Sequence, residues 1–305
     1  MKAGTNLEKI LESGRFAVTA EAGPPKGTSP AVIQRKGELL RNCCDAVNIT
    51  DNQTAIVRMS SLAGCVLLKQ QGVDPVMQMV VRDRNRLALQ GDVLGAVALG
   101  IGNFLCLSGD HQKFGNHPTA KGVYDIDSVQ LIQMLKQMRD EKKFLNGEDI
   151  SGEVPIYIGA AANPFADPFE FRVERLAKKV KAGVDFIQTQ AVYDVPKFAR
   201  YMEIATDRGL DKQVHILAGL IPIRSVGMAR YMRDYVSGVS VPDEIITRLE
   251  NATSAKEEGV RIVLEIAEQI KEIPGVHGIH IMAVGWEDIV PDTVSKAGLM
   301  PRPIL

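Results

Sequence analysis

Glu21 and Asp110 are the two carboxylates whose setting suits acid and base chemistry. Each closes a short apolar run, Phe16-Ala-Val-Thr-Ala-Glu21 and Phe104-Leu-Cys-Leu-Ser-Gly-Asp110, that reads as a buried strand entering a turn. A third run, Phe186-Ile-Gln-Thr-Gln190, ends in an amide able to donate to and accept from a heterocycle. In parallel sheets the carboxyl ends of strands are where ligands are bound. Glu21 lies between alanines ahead of Pro24-Pro25, with no basic residue close before Lys26. An apolar setting raises a carboxyl pKa and suits a proton donor near neutral pH, whereas a turn-capping or lysine-paired glutamate would do no chemistry. Asp110 follows Ser108-Gly109, where the glycine permits close backbone approach; an Asx turn opening the next loop is the competing reading. Asn48, Thr50 and Asp51-Asn-Gln53 add polar groups at the end of a further strand.

The elements that must position these residues alternate along the chain. Strand-like runs begin near Phe16, Ala46, Val76, Phe104, Ile156, Phe186, His215 and Gly278. Between them lie amphipathic stretches at Pro30–Asn42, Arg58–Gln71, Asn85–Leu99, Asp127–Lys143, Pro168–Ala182, Val195–Arg208 and Ser225–Tyr235. Pro242–Glu250 and Ser254–Ile270 add two more before the last strand, and Glu287–Ala297 follows it. Eight βα alternations within 305 residues, with no shift of composition, predict one (β/α)₈ TIM barrel spanning residues 1–305, an open doubly wound sheet being the alternative. Near-continuous apolar runs such as His215-Ile-Leu-Ala-Gly-Leu-Ile-Pro222 fit strands buried on both faces. The longest loop-like stretch, Asp110–Asp125, would cross the barrel mouth.

Composition narrows the classes. A formal net charge of -1 and the lack of a basic cluster interleaved with aromatics argue against nucleic-acid binding. No apolar run is long enough for a membrane span and the charged N-terminus is unlike a secretory signal, so a cytoplasmic protein is expected. The four cysteines form no C-x-x-C pair and read as buried thiols. Of five histidines only His111 and His117 fall in the mouth loop, and no third metal ligand accompanies them. Arg82, Arg84, Arg172, Arg175, Lys178 and Lys179 are the candidates for binding an anion. Phosphate-loop, dinucleotide-fingerprint and G-x-S-x-G motifs are missing.

Thr19-Ala-Glu21-Ala-Gly-Pro-Pro25, Asn48-Ile-Thr50, Leu107-Ser-Gly-Asp110 and Thr189-Gln190, in that order and each at a strand end, resemble the methylenetetrahydrofolate reductase family. Lys181-Ala-Gly-Val-Asp185 and Gly275-Val-His-Gly-Ile-His-Ile281 extend the likeness over nearly the whole chain. The resemblance implies a flavin-containing barrel that passes a hydride from reduced flavin to 5,10-methylenetetrahydrofolate. It assigns Glu21 as general acid, Asp110 to flavin and folate, Gln190 to folate, and Thr50, Gln78 and Lys179 to the flavin. Two positions depart from the family pattern within the cofactor site, Asn163 for a tyrosine and Arg172 for an aspartate. The arginine favours a terminal phosphate, so FMN competes with the FAD that the family implies. Val226 stands where a stacking aromatic is expected. With these features the chain resembles reductases of anaerobes that draw electrons through an iron-sulfur partner subunit, NADH or NADPH being the alternative donor, and the resemblance implies an oligomer or hetero-complex. The rival readings are a flavin-free pterin-binding barrel and a non-catalytic scaffold subunit.

Overall fold

The computed structural model describes residues 1–236 and 238–305. Eight parallel strands close a barrel in sequential order. They are β1 (Ala17–Ala22), β2 (Ala46–Ile49), β3 (Pro75–Val80), β4 (Asn103–Leu107), β5 (Tyr157–Ala162), β6 (Phe186–Ala191), β7 (His215–Leu220) and β8 (Val276–Ile281). All begin within two residues of the positions expected from their apolar runs. The helices are α1 (Asn6–Glu12), α2 (Ala31–Leu40), α3 (Ser61–Lys69), α4 (Arg86–Ala98), α5 (Ser128–Asp140) and α6 (Glu170–Ala182). After β6 come α7 (Val195–Asp207), α8 (Val226–Tyr235), α9 (Asp243–Asn251), α10 (Ala255–Lys271) and α11 (Val290–Lys296). Side chains that satisfy free amide groups set many of the helix starts, most fully at α5, where Asp127 and Gln130 form a reciprocal capping box.

Helix α1 has no counterpart among the expected elements. Its Leu7, Ile10 and Leu11 share one face and pack on Ala17, Ala46, Val76, Leu105, Tyr157, Phe186 and Leu217, closing the amino-terminal end of the barrel with apolar side chains. Thr5 caps it by accepting from the Glu8 N–H, and the Glu8 carboxylate accepts the N–H groups of Ala3 and Gly4 at 2.9 and 2.6 Å. Asp74, at the foot of β3, accepts the Leu7 N–H at 2.9 Å and fixes the helix to the sheet.

Two aspartates join strands in the same way on opposite sides of the barrel. Asp45, preceding β2, accepts the Val18 N–H at 2.7 Å and pairs with Arg302 at 2.6 Å. Asp185, preceding β6, accepts the Ile158 N–H at 2.7 Å and pairs with Arg139 at 2.7 Å and with Lys2. Removing one partner of such a buried pair strands the other charge. Asp185→Ala should therefore lower stability by about 3–5 kcal/mol in chemical denaturation; a loss below about 1 kcal/mol, the scale of an exposed pair, would contradict the joint.

Candidate active site

Residues two apart on a strand face the same side, so Ala17, Thr19 and Glu21 climb the inside of β1 from floor to mouth. At mid-height the interior is polar. Gln188 Nε2 donates to Thr19 Oγ1 at 3.2 Å and to Asn48 Oδ1 at 3.1 Å, and Asn48 Nδ2 donates back to Gln188 Oε1 at 2.6 Å. Thr19 Oγ1 also lies 2.9 Å from His280 Nδ1. All four side chains are buried, and burial pushes the His280 pKa down to about 3, so its ring is neutral at physiological pH.

Glu21 stands above this layer. Its Oε2 accepts from Gln78 Nε2 at 3.1 Å and its Oε1 from Gln53 Nε2 at 3.3 Å. Burial pushes its pKa up to about 7, with Glu287 pushing the same way; the two amides and Lys36 pull it down. Lys36 comes from α2 and donates to the Gly23 carbonyl at 2.9 Å and to Glu287 Oε1 at 2.6 Å. The fold thus brings to Glu21 an ion pair that its apolar sequence neighbourhood conceals. A carboxyl balanced near pH 7 can release a proton and recover it under the same conditions.

Asp110 lies exposed on the rim, its carboxylate accepting the Thr54 N–H at 3.0 Å. The glycine before it is required: Gly109 has φ +83° and a Cβ there would lie 3.1 Å from Val80 Cβ. Thr50 is buried with an Oγ1 that makes no hydrogen bond among the described residues. Across the mouth, a Cβ at Gly238 would lie 2.4 Å from Asn163 Nδ2 and 3.5 Å from Gln190 Cγ, so those two amides share one side. The Asp110–Asp125 loop packs on the turn after β2, with Asn116 Oδ1 accepting the Val57 N–H at 3.1 Å.

Several of the basic candidates are engaged by groups of the protein itself. Lys179 donates to the Ala161 carbonyl between α6 and β5, and burial lowers its pKa to about 8. Arg172 folds back on the carbonyls of Asp167 and Pro168, at 3.1 and 3.3 Å. Arg82 and Arg84 do not wait for an anion, because they hold Asp83, and Asp51 with Asp92, respectively. His111 Nδ1 accepts the Lys113 N–H at 3.2 Å and caps a short turn. Among the described residues there is no metal-binding cluster and no helix long and apolar enough to cross a membrane. All four cysteines are free and buried.

The family model described as methylenetetrahydrofolate reductase matches residues 6–298. Similar proteins include methylenetetrahydrofolate reductase 2 of Schizosaccharomyces pombe, 26% identical over 219 residues, covering 67% of this chain and 32% of that protein. The probable methylenetetrahydrofolate reductase (NADPH) of Caenorhabditis elegans is 20% identical over 310 residues, covering 96% of this chain and 44% of that protein. For 5,10-methylenetetrahydrofolate reductase of Salmonella typhimurium the identity is 23% over 191 residues, with 61% of this chain and 60% of that protein covered. The chain therefore spans less than two thirds of the length of each of these relatives. An uncharacterized Clostridium thermocellum protein that binds two copies of 5-methyl-5,6,7,8-tetrahydrofolic acid shares the fold, with a TM-score of 0.66, 16% identity, and 95% and 97% of the two chains covered.

A carboxyl with a pKa of about 7 in the folded chain, against an ordinary 4.5, costs stability as it ionises. That cost is absent below about pH 4.5 and complete above about pH 7. Glu21→Gln should therefore become more stable relative to the parent chain by roughly 3 kcal/mol between pH 4.5 and pH 8. Melting curves of both proteins across that range check this; a difference that does not change with pH would refute it.

Proposed function

Because the chain belongs to the methylenetetrahydrofolate reductase family, we propose that it reduces 5,10-methylenetetrahydrofolate to 5-methyltetrahydrofolate, with Glu21 as proton donor. The observation that carries this reading is a carboxyl held near neutrality by burial, two amides and an ion pair at the barrel mouth. Ring opening breaks a bond between the methylene carbon and one nitrogen, and the departing nitrogen must take up a proton. Glu21 supplies it. Gln53 and Gln78 donate to the carboxylate left behind, which favours the transfer. Gln190 and Asn163, across the mouth, offer amide donors and acceptors to a heterocycle.

A flavin, when bound, supplies the hydride that reaches the methylene carbon. The residues present fit one: the buried Thr50 hydroxyl lacks a partner and both donates and accepts, as the edge of an isoalloxazine requires. Thr50, Gln78 and Asp110 would hold the ring, with Asn163, Arg172 and Lys179 on the side of its tail. Arg172 retains a partly exposed guanidinium, which supports FMN alongside FAD. Val226, packed against the core, presents no ring on which a nicotinamide could stack, and this supports electron delivery by an iron-sulfur partner subunit.

Glu21→Gln should reduce methyltetrahydrofolate formation by roughly 100-fold or more while the bound flavin still accepts electrons from dithionite. Unimpaired turnover would remove Glu21 from the mechanism, and a protein without flavin absorbance would favour a flavin-free barrel. Delivery by a partner predicts that the chain alone, loaded with flavin, turns over poorly with NADH or NADPH; an ordinary enzymatic rate with either would end that reading.

A further inference from the structure

Arg82 follows β3 and is only 2% exposed, one of the largest side chains in the interior. Its Nε and Nη2 grip Asp83 Oδ1 and Oδ2 at 2.7 and 2.6 Å. Nη1 donates to the Asp110 carbonyl at 2.9 Å, and Nη2 also reaches the Asn52 carbonyl at 3.3 Å. A single planar fork thus joins the end of β3 to the loops that follow β2 and β4. Asp83 adds a second tie by accepting from Asn52 Nδ2 at 3.4 Å, and the Arg82 carbonyl accepts the Val123 N–H at 2.8 Å at the far end of the β4 loop.

The turn so held is strained. Asn52, Thr54 and Ala55 have φ of 44°, 56° and 56°, a left-handed conformation that costs a non-glycine residue on the order of 1 kcal/mol each. The same turn carries Gln53, which donates to Glu21, and the Thr54 N–H, which donates to the Asp110 carboxylate. Arg82 itself bonds neither the Glu21 nor the Asp110 carboxylate; its guanidinium meets the backbone carbonyls of Asp110 and Asn52.

We propose that Arg82 is a positioning residue for the proton donor, holding the Asn52–Ala55 turn in the conformation in which Gln53 meets Glu21. This rests on the reading of Glu21 as that donor. Gln53 favours the ionised form of Glu21, so releasing the turn should raise the pH at which Glu21 titrates. The charged groups facing Glu21 from α2 and from the segment after β8, Lys36 and Glu287, stay in place when Arg82 is changed.

The test is a titration of the flavin-loaded chain carrying ¹³C-labelled glutamate carboxyl groups, with the Glu21 signal identified as the one missing from Glu21→Gln. Arg82→Lys keeps the charge but cannot fork between two carbonyls. It should raise the Glu21 midpoint by roughly half a pH unit, the scale of one hydrogen bond, as should Gln53→Ala. The double variant should move no further than either single one. An Arg82→Lys midpoint equal to that of the parent chain, or shifts that add, would overturn the proposal. So would a shift in Arg82→Met that Arg82→Lys lacks, because charge alone would then explain it. Should Arg82→Lys fail to fold, Asn116→Ala, which frees Val57 two residues beyond the same turn, must raise the midpoint, and an unmoved midpoint counts against the proposal. Failure of the parent chain to form methyltetrahydrofolate once its flavin has been reduced with dithionite would sink the functional reading alone, since the titration needs no turnover.

Discussion

Gln188 reaches across the barrel axis from β6 to Thr19 on β1 and Asn48 on β2, and these bonds fix the height at which the interior turns from apolar to polar. Below them Tyr157, Phe186 and Leu217 pack with helix α1 in the floor. Above them stand Glu21, with its two amide partners, and the buried hydroxyl of Thr50. Buried amides and hydroxyls are tolerated only when satisfied, and this layer satisfies its own members without charge, leaving the neutral His280 ring as its fourth side. Glu21 is held on a support that neither attracts nor neutralises it.

The proton affinity of Glu21 is consequently set from above and from the side. Burial raises it, two amides lower it, and the Lys36 to Glu287 pair contributes both signs at once. The amides come from β3 and from the turn after β2; the pair comes from α2 and the segment after β8. No single element determines the outcome, so a change in the turn after β2, in α2 or in the segment after β8 is felt at the same carboxyl.

The strands and the end positions of Glu21, Asp110 and Gln190 were legible in the sequence because parallel strands buried on both faces are continuous apolar runs that stop abruptly at polar residues. What was not legible depends on contacts distant in sequence. Lys36 and Glu287 are 251 residues apart, and nothing local marks either as a neighbour of Glu21. Arg82 and Arg84, read as candidates for binding an anion, proved to be held by Asp83 and Asp51; solvated and buried arginines look alike in a string of letters. Helix α1 did leave a local trace, with Thr5 three residues ahead of Glu8 and with Leu7, Ile10 and Leu11 at helical spacing. That trace is short and lies next to a charged terminus.

The two aspartate joints, alike in geometry, differ greatly in the order in which they can form. Arg139 lies 46 residues from Asp185, whereas Arg302 lies 257 residues from Asp45. Closing the longer loop costs about 1.5 kcal/mol more in chain entropy. During synthesis the β5–β6 joint, with Gln188 and Gln190 beside it, has its cation as soon as it emerges. The joint at the strand that bears Glu21 must wait until Arg302 has been made.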